Sequence, residues 1–245
     1  MRRYLIGAAA IAAATLTGCT DDAAEPTSPV TDTSTSTSAT AAGSPAPGSL
    51  REGATMNLVA AKLTLPVLVA TPPGPVADPV DPTLFPMSKY AVQDGWSESQ
   101  LPSPDCTVHD AVLLRDTRDH SLDPGCRVTK GFWTDPLNGA TATDPNKVEV
   151  VYLVPLENAW ASGAHTWNAK QRNIFANSSL TLVTLSPATV EARNNRAPDQ
   201  WRPGYNGCTY AIRWIDVKNT YGLTVTEPER SALAGMLDTC STTGT

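Results

Sequence analysis

The chain has 245 residues, a hydrophobic content of 41% and a formal net charge of −6. This length accommodates one or two domains, and the apolar content is sufficient for a packed core. The acidic balance disfavours broad binding to phosphate backbones, which depends on clustered Lys and Arg, although it does not exclude a local basic groove.

The first 18 residues have the features of a targeting segment. Arg2 and Arg3 form a basic start, residues 4–17 form an apolar run, and Cys19 follows a Leu-Thr-Gly sequence that resembles a lipobox. The apolar run is short for a membrane span and is typical of a signal peptide. We therefore expect an exported protein that is anchored to the cell membrane by a lipid on Cys19. An ordinary signal peptide cleaved nearby, or a retained membrane segment, is the alternative.

A tether is predicted after the targeting segment, over residues 19–49. Residues 20–49 contain no aromatic residue and are dominated by Ser, Thr, Ala, Pro and Asp. Such a composition cannot bury enough apolar surface to offset the loss of chain entropy, so we expect disorder. A sugar-bearing stalk is the alternative interpretation of its many threonines.

Loss of the positive charges of Arg2 and Arg3 with the signal peptide leaves a net charge of −8.

Residues 50–89 are predicted to form a helix followed by an arm. Residues 50–65 have helical spacing, with Leu58, Val59 and Leu63 near one another. Residues 66–86 are rich in proline, which lacks a backbone N–H donor. This segment is therefore predicted to be an extended arm over the surface of the domain. We assign the domain itself to residues 90–245.

Four cysteines remain once Cys19 is assigned to the lipid, and an even number in an exported chain indicates disulfides. Three pairings are open. Proximity along the chain favours Cys106 with Cys126 and Cys208 with Cys240. A zinc site of four thiolates is the alternative, which the absence of C-x-x-C spacing disfavours.

The first part of the domain predicts a helix and a hairpin. The helix spans residues 108–115. The hairpin joins residues 126–133 to residues 140–143 through the dipeptide Asn138-Gly139, which favours a turn with positive φ.

The middle of the domain predicts the order strand, helix, helix, strand, helix. The first strand spans residues 148–154, and Pro155 suits the first position of the helix that Gly163 ends. A second helix spans residues 168–177. A short strand contains Leu180, Leu182 and Leu185, and Ser186-Pro187 begins the next helix.

Two helices are predicted at the end of the chain. Tyr210, Trp214, Val217 and Tyr221 recur at helical spacing before Gly222, which is a helix-stop signal. We interpret this aromatic stripe as core packing rather than as a base-stacking surface. Residues 226–229 fit a capping box that begins the last helix, with inward-facing Leu233, Met236 and Leu237.

The layout of residues 149–201 resembles that of secreted HNH-family endonucleases of actinobacteria, which are related to the C-terminal domain of Gmr-type restriction enzymes. The resemblance covers residues 90–240 more loosely and points to the same local disulfide pairs. It implies an α+β fold with a ββα-metal (His-Me finger) core, additional helices and disulfide staples. The shared features are Pro155-Leu156, Ala159-Trp160, Ser162-Gly163-Ala164, Trp167, Phe175-Ala176-Asn177, Pro198 and Trp201.

The resemblance implies a metal-dependent nuclease, in which a divalent ion contacts the scissile phosphate and a His takes a proton from water. The position of the metal-binding Asp holds Val151, and that of the general-base His holds Tyr152. Thr181 stands at the usual Asn of the second strand, and Val190 at the Asn ligand of the closing helix. Valine cannot bind a hard cation, and tyrosine, with a pKa of about 10, is a poor base at neutral pH.

These substitutions predict a nuclease-like protein without catalysis and without a metal cofactor. Upstream, the family's Arg and acidic residue fall on His109 and Ala111. An active endonuclease with relocated residues is the alternative. It would use Glu149, which shares a strand face with Val151, together with Tyr152 and His109, and it would require Mg²⁺.

A replacement metal cluster is a further alternative, formed by His109, Asp110, Asp116 and His120. It is disfavoured because adjacent residues on a helix point about 100° apart.

The partner of such a protein is predicted to be DNA or another protein. Arg172, Arg193, Arg196 and Arg202 predict either a basic patch for nucleic acid or a solvated face. A cell-surface interaction protein without a nucleic-acid role is the third hypothesis, which the acidic chain favours over DNA binding.

Overall fold

Apolar residues spaced for helices and short strands fold into a mixed α+β arrangement. The structure, a computed structural model, describes residues 56–77, 79–88 and 106–240. The signal peptide, Cys19 and the tether lie outside the described residues. In chain order the helices and strands are α1 Leu58–Thr64, α2 Val108–Asp116, β1 Thr117–Leu122, β2 Val128–Thr134, β3 Thr141–Ala142, β4 Glu149–Tyr152, α3 Leu156–Ala161, α4 Ala169–Asn177, β5 Leu182–Leu185, α5 Pro187–Arg193, α6 Gly207–Thr220 and α7 Glu227–Leu237.

The strands form two small antiparallel sheets, β1-β2-β3 and β4-β5. The predicted hairpin is confirmed as β2 and β3, and Gly139 has the expected positive φ of 77°. Strand β1 was not predicted, because its sequence TRDHSL is mostly exposed and shows no apolar alternation. Gly131 is required on β2, since a Cβ there would lie 2.3 Å from the ring of Trp133. In the second sheet, Tyr152 pairs with Leu182.

The helix boundaries follow local capping signals. Capping boxes at Thr107, Asn168 and Thr226 begin α2, α4 and α7, and the Ser186 side chain caps α5. The start of α3 differs from the prediction. Pro155 is the N-cap of α3, with an extended ψ of 151°, and the helix begins one residue later. No helix in the described part of the chain is long and apolar enough to cross a membrane.

Backbone hydrogen bonds join the predicted proline-rich arm to α3 and to the segment before α7. Thr71 N donates to Val225 O at 2.9 Å, and Gly74 N donates to Ala161 O at 2.7 Å. Val80 and Phe85 are buried in the same hydrophobic cluster as α6 and α7. The arm therefore contributes a few apolar side chains to the core, whereas its prolines and Val67, Val69 and Val76 are exposed.

The central core lies between α6 and α7 and includes Tyr210, Trp214 and Leu233. This confirms that the aromatic stripe of α6 is core. The disulfide Cys208–Cys240 joins the start of α6 to the residues after α7, and Cys106–Cys126 joins the start of α2 to the loop before β2. These are the two pairings that chain proximity favours.

A buried ion pair crosses this core. Lys218 Nζ on α6 lies 3.2 Å from Glu229 Oε1 on α7, and both side chains are at most 2% exposed. Lys218 Nζ also donates to Asn158 Oδ1, Ser162 Oγ and Thr224 O, and Trp214 Nε1 donates to Glu229. Burial lowers the pKa of Lys218, and the charge of Glu229 opposes that shift. The ammonium therefore holds four segments of the chain together.

We predict that removal of either partner destabilises the fold strongly. Lys218→Met and Glu229→Gln should each lower the free energy of unfolding by about 3–5 kcal/mol, because each leaves a buried charge or its donors uncompensated. The double variant should lose less than the sum of the two. Urea unfolding measures this. Lys62→Met breaks the exposed pair with Asp238 at 3.8 Å and should cost less than about 1 kcal/mol; an equal loss in Lys62→Met and Lys218→Met would contradict the account.

Candidate functional site

Tyr152, which the sequence analysis assigned to the general-base position, lies at the end of β4. Its ring stacks on Phe175 with a centroid distance of 5.9 Å, and its hydroxyl lies 3.4 Å from Ala176 O. The side chain also packs against the buried cluster that contains Cys106 and Val108. Burial raises the pKa of Tyr152 to about 12. This phenol is a packed side chain that releases its proton less readily than an ordinary tyrosine.

Thr181 and Val190 meet the same core. Thr181 is fully buried, and its hydroxyl donates to Phe175 O at 2.7 Å, with Ser178 O at 3.0 Å. Its own carbonyl accepts from Leu153 N at 2.7 Å. Val190 packs against the central cluster, as does Val151. Thus Tyr152 and Thr181 meet at Phe175, and within the described residues neither side chain has a hydrogen bond or ion pair with a carboxylate or an imidazole.

Glu149 and His109 are not part of this group. Glu149 is exposed at the other end of β4, where it pairs with Leu185. Glu149 lies three positions before Tyr152 along the strand, which corresponds to a distance of about 10 Å. His109 is exposed on the first turn of α2. Among residues 56–77, 79–88 and 106–240, no group of three or more His, Cys, Asp or Glu side chains is arranged to hold a metal.

The four arginines do not share one surface. Arg193 is 3% exposed, and its Nη2 donates to Tyr152 O at 2.7 Å, so it is a core residue and not part of a basic patch. Arg172 donates to Trp167 O, and Arg196 donates to Ala192 O. Arg202 is exposed. The prediction of a basic patch fails for Arg193 because α5 turns that side chain towards β4.

The structure reveals a buried charged cluster that the sequence did not indicate. Arg115 forms a bidentate ion pair with the neighbouring Asp116, through Nε at 2.6 Å and Nη2 at 2.8 Å. Asp116 also accepts from Thr184 N at 3.0 Å. Burial alone would raise the pKa of Asp116, but the charge and hydrogen bonds of Arg115 keep it below the ordinary value. Arg213 of α6 lies beside this pair.

A groove of about 920 Å³ lies between the arm and the helices. Residues 70–77 form one wall, and α3, the start of α7 and residues 194–200 form the others. Sequence reasoning missed it because these segments are far apart in the chain. Its charged lining consists of four carboxylates and one guanidinium: Glu157, Asp199, Glu227, Glu229 and Arg196. Glu229, the partner of Lys218, is thus one of the residues that line the groove.

The geometry defines an α+β protein with two disulfides, an acidic groove and a packed β4-β5 sheet. No protein-family model matches the chain, and no solved structure matches it. The chain is 37% identical over 190 residues to a protein of Arthroderma benhamiae described as an uncharacterized secreted protein, covering 73% of this chain and 93% of that protein. The chain belongs to the same family as this secreted fungal protein. The relative's secretion agrees with the export predicted from the targeting segment.

We predict that Tyr152 contributes through its ring and not through its hydroxyl. Tyr152→Phe should change the free energy of unfolding at pH 7 by less than about 1 kcal/mol, because the hydroxyl contact is long. The unfolded phenol ionises near pH 10 and the folded one at about 12. The contribution of the protonated Tyr152 phenol to the free energy of unfolding is therefore complete below pH 10, and it is lost as the pH rises to 12.

Urea unfolding between pH 8 and pH 12 tests this. Tyr152→Phe should flatten the alkaline decline by up to about 1.4 kcal/mol per pH unit. Tyr205→Phe, at a tyrosine that is 54% exposed, should leave the profile unchanged. A large loss of stability at pH 7 in Tyr152→Phe would show that the hydroxyl has another role, and an unchanged alkaline decline would contradict the raised pKa.

Proposed function

We propose that this chain is an exported, lipid-anchored binding protein on an HNH-type (ββα-metal) framework that lacks nuclease chemistry, and that its partner is a polypeptide rather than DNA. The order β4, α3, α4, β5, α5, in which two antiparallel strands precede a helix, supports the ββα framework. The lipobox-like sequence before Cys19 and the secreted relative support export and anchoring.

The observation that carries the proposal is the packing at the nuclease-like positions. Tyr152 is stacked on Phe175, and the Thr181 hydroxyl is committed to backbone carbonyls. Val151 and Val190 contribute only apolar surface. A hard divalent cation requires oxygen ligands. The two valines have none, and the hydroxyls of Tyr152 and Thr181 face backbone carbonyls. The strand and helix are retained as core, and the groups that would activate water are replaced.

A nuclease with relocated residues finds little support. Glu149 and His109 are exposed and separate from Tyr152. Tyr152 is also less available as a base at neutral pH than the sequence alone suggests, because burial raises its pKa to about 12 and keeps the phenol protonated. General base catalysis at neutral pH favours a group with a pKa near 7.

The charges favour a polypeptide over a nucleic acid. Arg193 is buried, and Arg172 and Arg196 donate to backbone carbonyls, which reduces the positive surface available to phosphates. The groove between residues 70–77 and α7 carries an excess of carboxylates. Its proline-rich wall is fixed to Val225 and Ala161 by backbone hydrogen bonds. A preformed acidic groove of this kind suits an extended segment that carries Lys or Arg.

Binding of defined peptides tests the proposal. A fluorescent lysine-rich peptide should bind the purified protein saturably in an anisotropy titration, and a glutamate-rich peptide of equal length should not. Asp199→Asn combined with Glu227→Gln should weaken binding by about tenfold, because two surface charge contacts are worth up to about 1 kcal/mol each. The matched control is Glu149→Gln combined with Glu191→Gln, at exposed positions outside the groove.

Duplex DNA provides the opposing arm of this experiment. Labelled DNA should show no retention on the protein at physiological salt, because few phosphate contacts are available. Salt-dependent DNA binding that is tighter than peptide binding would contradict the proposal. Equal peptide binding by the groove variant and the control variant would also contradict it.

A further inference from the structure

Exposed apolar side chains are concentrated in the first described segment of the chain. Four aliphatic residues there are between 63% and 75% exposed: Val59, Leu63, Val67 and Val69. Residues 106–240 form a far longer stretch and contribute two exposed large hydrophobic residues, Ile174 and Tyr205. Single exposed apolar residues are common on protein surfaces, but a cluster of them marks an interaction surface.

Three of these residues lie on the outer side of α1 and of the short 3₁₀ turn that continues it. Val59, Leu63 and Val67 are spaced four residues apart, so they follow one another along one side of the helix. We call these three residues the apolar face of α1. On the opposite side, Ala61 and Leu65 are buried in the central cluster. Helix α1 therefore has two apolar sides, and the core of the protein covers one of them.

The charges near the apolar face favour a lipid surface. Residues 56–77 contain one charged residue, Lys62, and no Asp or Glu, although the whole chain has a net charge of −6. Lys62 is exposed, and its ammonium lies 3.8 Å from Asp238 Oδ1. A lysine beside an apolar helix face can lay its aliphatic stem along the hydrocarbon boundary while its ammonium stays among the headgroups. This segment therefore has the composition of a helix that lies on a bilayer.

The position of α1 in the chain identifies which surface it would meet. Residues 20–57, which are 38 in number, separate the lipobox cysteine Cys19 from the start of α1. A flexible chain of about that length has a root-mean-square end-to-end distance of about 35 Å. A lipid on Cys19 would therefore keep the apolar face close to the bilayer, where a weak contact is sufficient for binding because the effective concentration is high.

We propose that the apolar face of α1 lies against the surface of the phospholipid bilayer to which Cys19 is anchored. The helix lies in the plane of the interface, with its three aliphatic side chains at the edge of the acyl region and Lys62 among the headgroups. The lipid and the helix face are then two separate attachments, which together orient the domain on the membrane. This inference rests on the lipid anchor of the proposed function and is independent of the acidic groove and its peptide.

Quenching by spin-labelled lipid tests this contact in the full exported chain. The protein carries a fluorophore on Lys62→Cys and is reconstituted in vesicles of phosphatidylcholine and phosphatidylglycerol that contain a lipid with a nitroxide on its upper acyl chain. Fluorescence at position 62 should fall by about half, because an interfacial helix lies about 5–10 Å deep and within reach of the nitroxide. The same fluorophore on Lys130→Cys, at an exposed position of β2, should be quenched little.

Polar substitution of the apolar face provides the matched variant. Val59→Gln, Leu63→Gln and Val67→Gln together should abolish the quenching at position 62, while the lipid keeps the protein on floated vesicles. The three side chains are exposed, so the urea midpoint should be unchanged. Ile174→Gln combined with Tyr205→Gln removes exposed apolar surface elsewhere and should leave the quenching as in the wild type.

Flotation of the vesicles separates this contact from the lipid anchor. Equal quenching at positions 62 and 130 in protein that floats would overturn the proposal and leave the anchor intact. Protein that does not float would contradict the anchor. Vesicles added to that soluble protein at millimolar lipid should still quench position 62, and absence of quenching there would overturn the proposal. A second copy of the chain is the other possible occupant, so a dimer that the triple variant dissociates, without quenching by lipid, would also overturn it.

Discussion

The ammonium of Lys218 is the interaction on which the arrangement of helices depends. It is fully buried on α6, and it contacts Glu229 on α7, Asn158 on α3, and the Ser162 and Thr224 segments. An ion removed from water in this way is stable only when its donors are all engaged. The four contacts therefore fix the spacing of α3, α6 and α7.

The acidic groove is a consequence of this arrangement. Asn158 and Glu229 lie in its floor, and the arm that forms its outer wall is bonded to Ala161 and Val225, close to the same segments. Glu229 forms an ion pair with Lys218, while Glu227 and Asp199 are exposed residues that line the groove. The charge of Glu229 is thus neutralised by Lys218 in the interior, and the exposed carboxylates give the groove its negative charge.

The end of β4 is held by packing against α4 and α5. Phe175 contacts both Tyr152 and Thr181, and Arg193 donates from α5 to the carbonyl of Tyr152. Aromatic stacking and a buried guanidinium thus stabilise the end of this strand. Exposed Glu149 and His109 lie outside these contacts.

Local signals in the sequence predicted most helices, because caps such as Ser186 and Thr226 act within one turn. The disulfides were favoured by proximity along the chain. Strand β1 lacks apolar alternation, since pairing with β2 and not burial holds it. Contacts between distant segments produce three features: the burial of Arg193, the burial of the Arg115-Asp116 pair, and the groove. Spacing along the chain gives no sign of these contacts.

Cleavage of supercoiled plasmid DNA tests the central claim most directly. The purified chain should leave the plasmid intact in Mg²⁺ and in Mn²⁺, at the same level as a metal-free sample. Metal-dependent nicking by the wild type that Tyr152→Phe abolishes would contradict the account, because it would show that the packed phenol at the end of β4 takes part in catalysis.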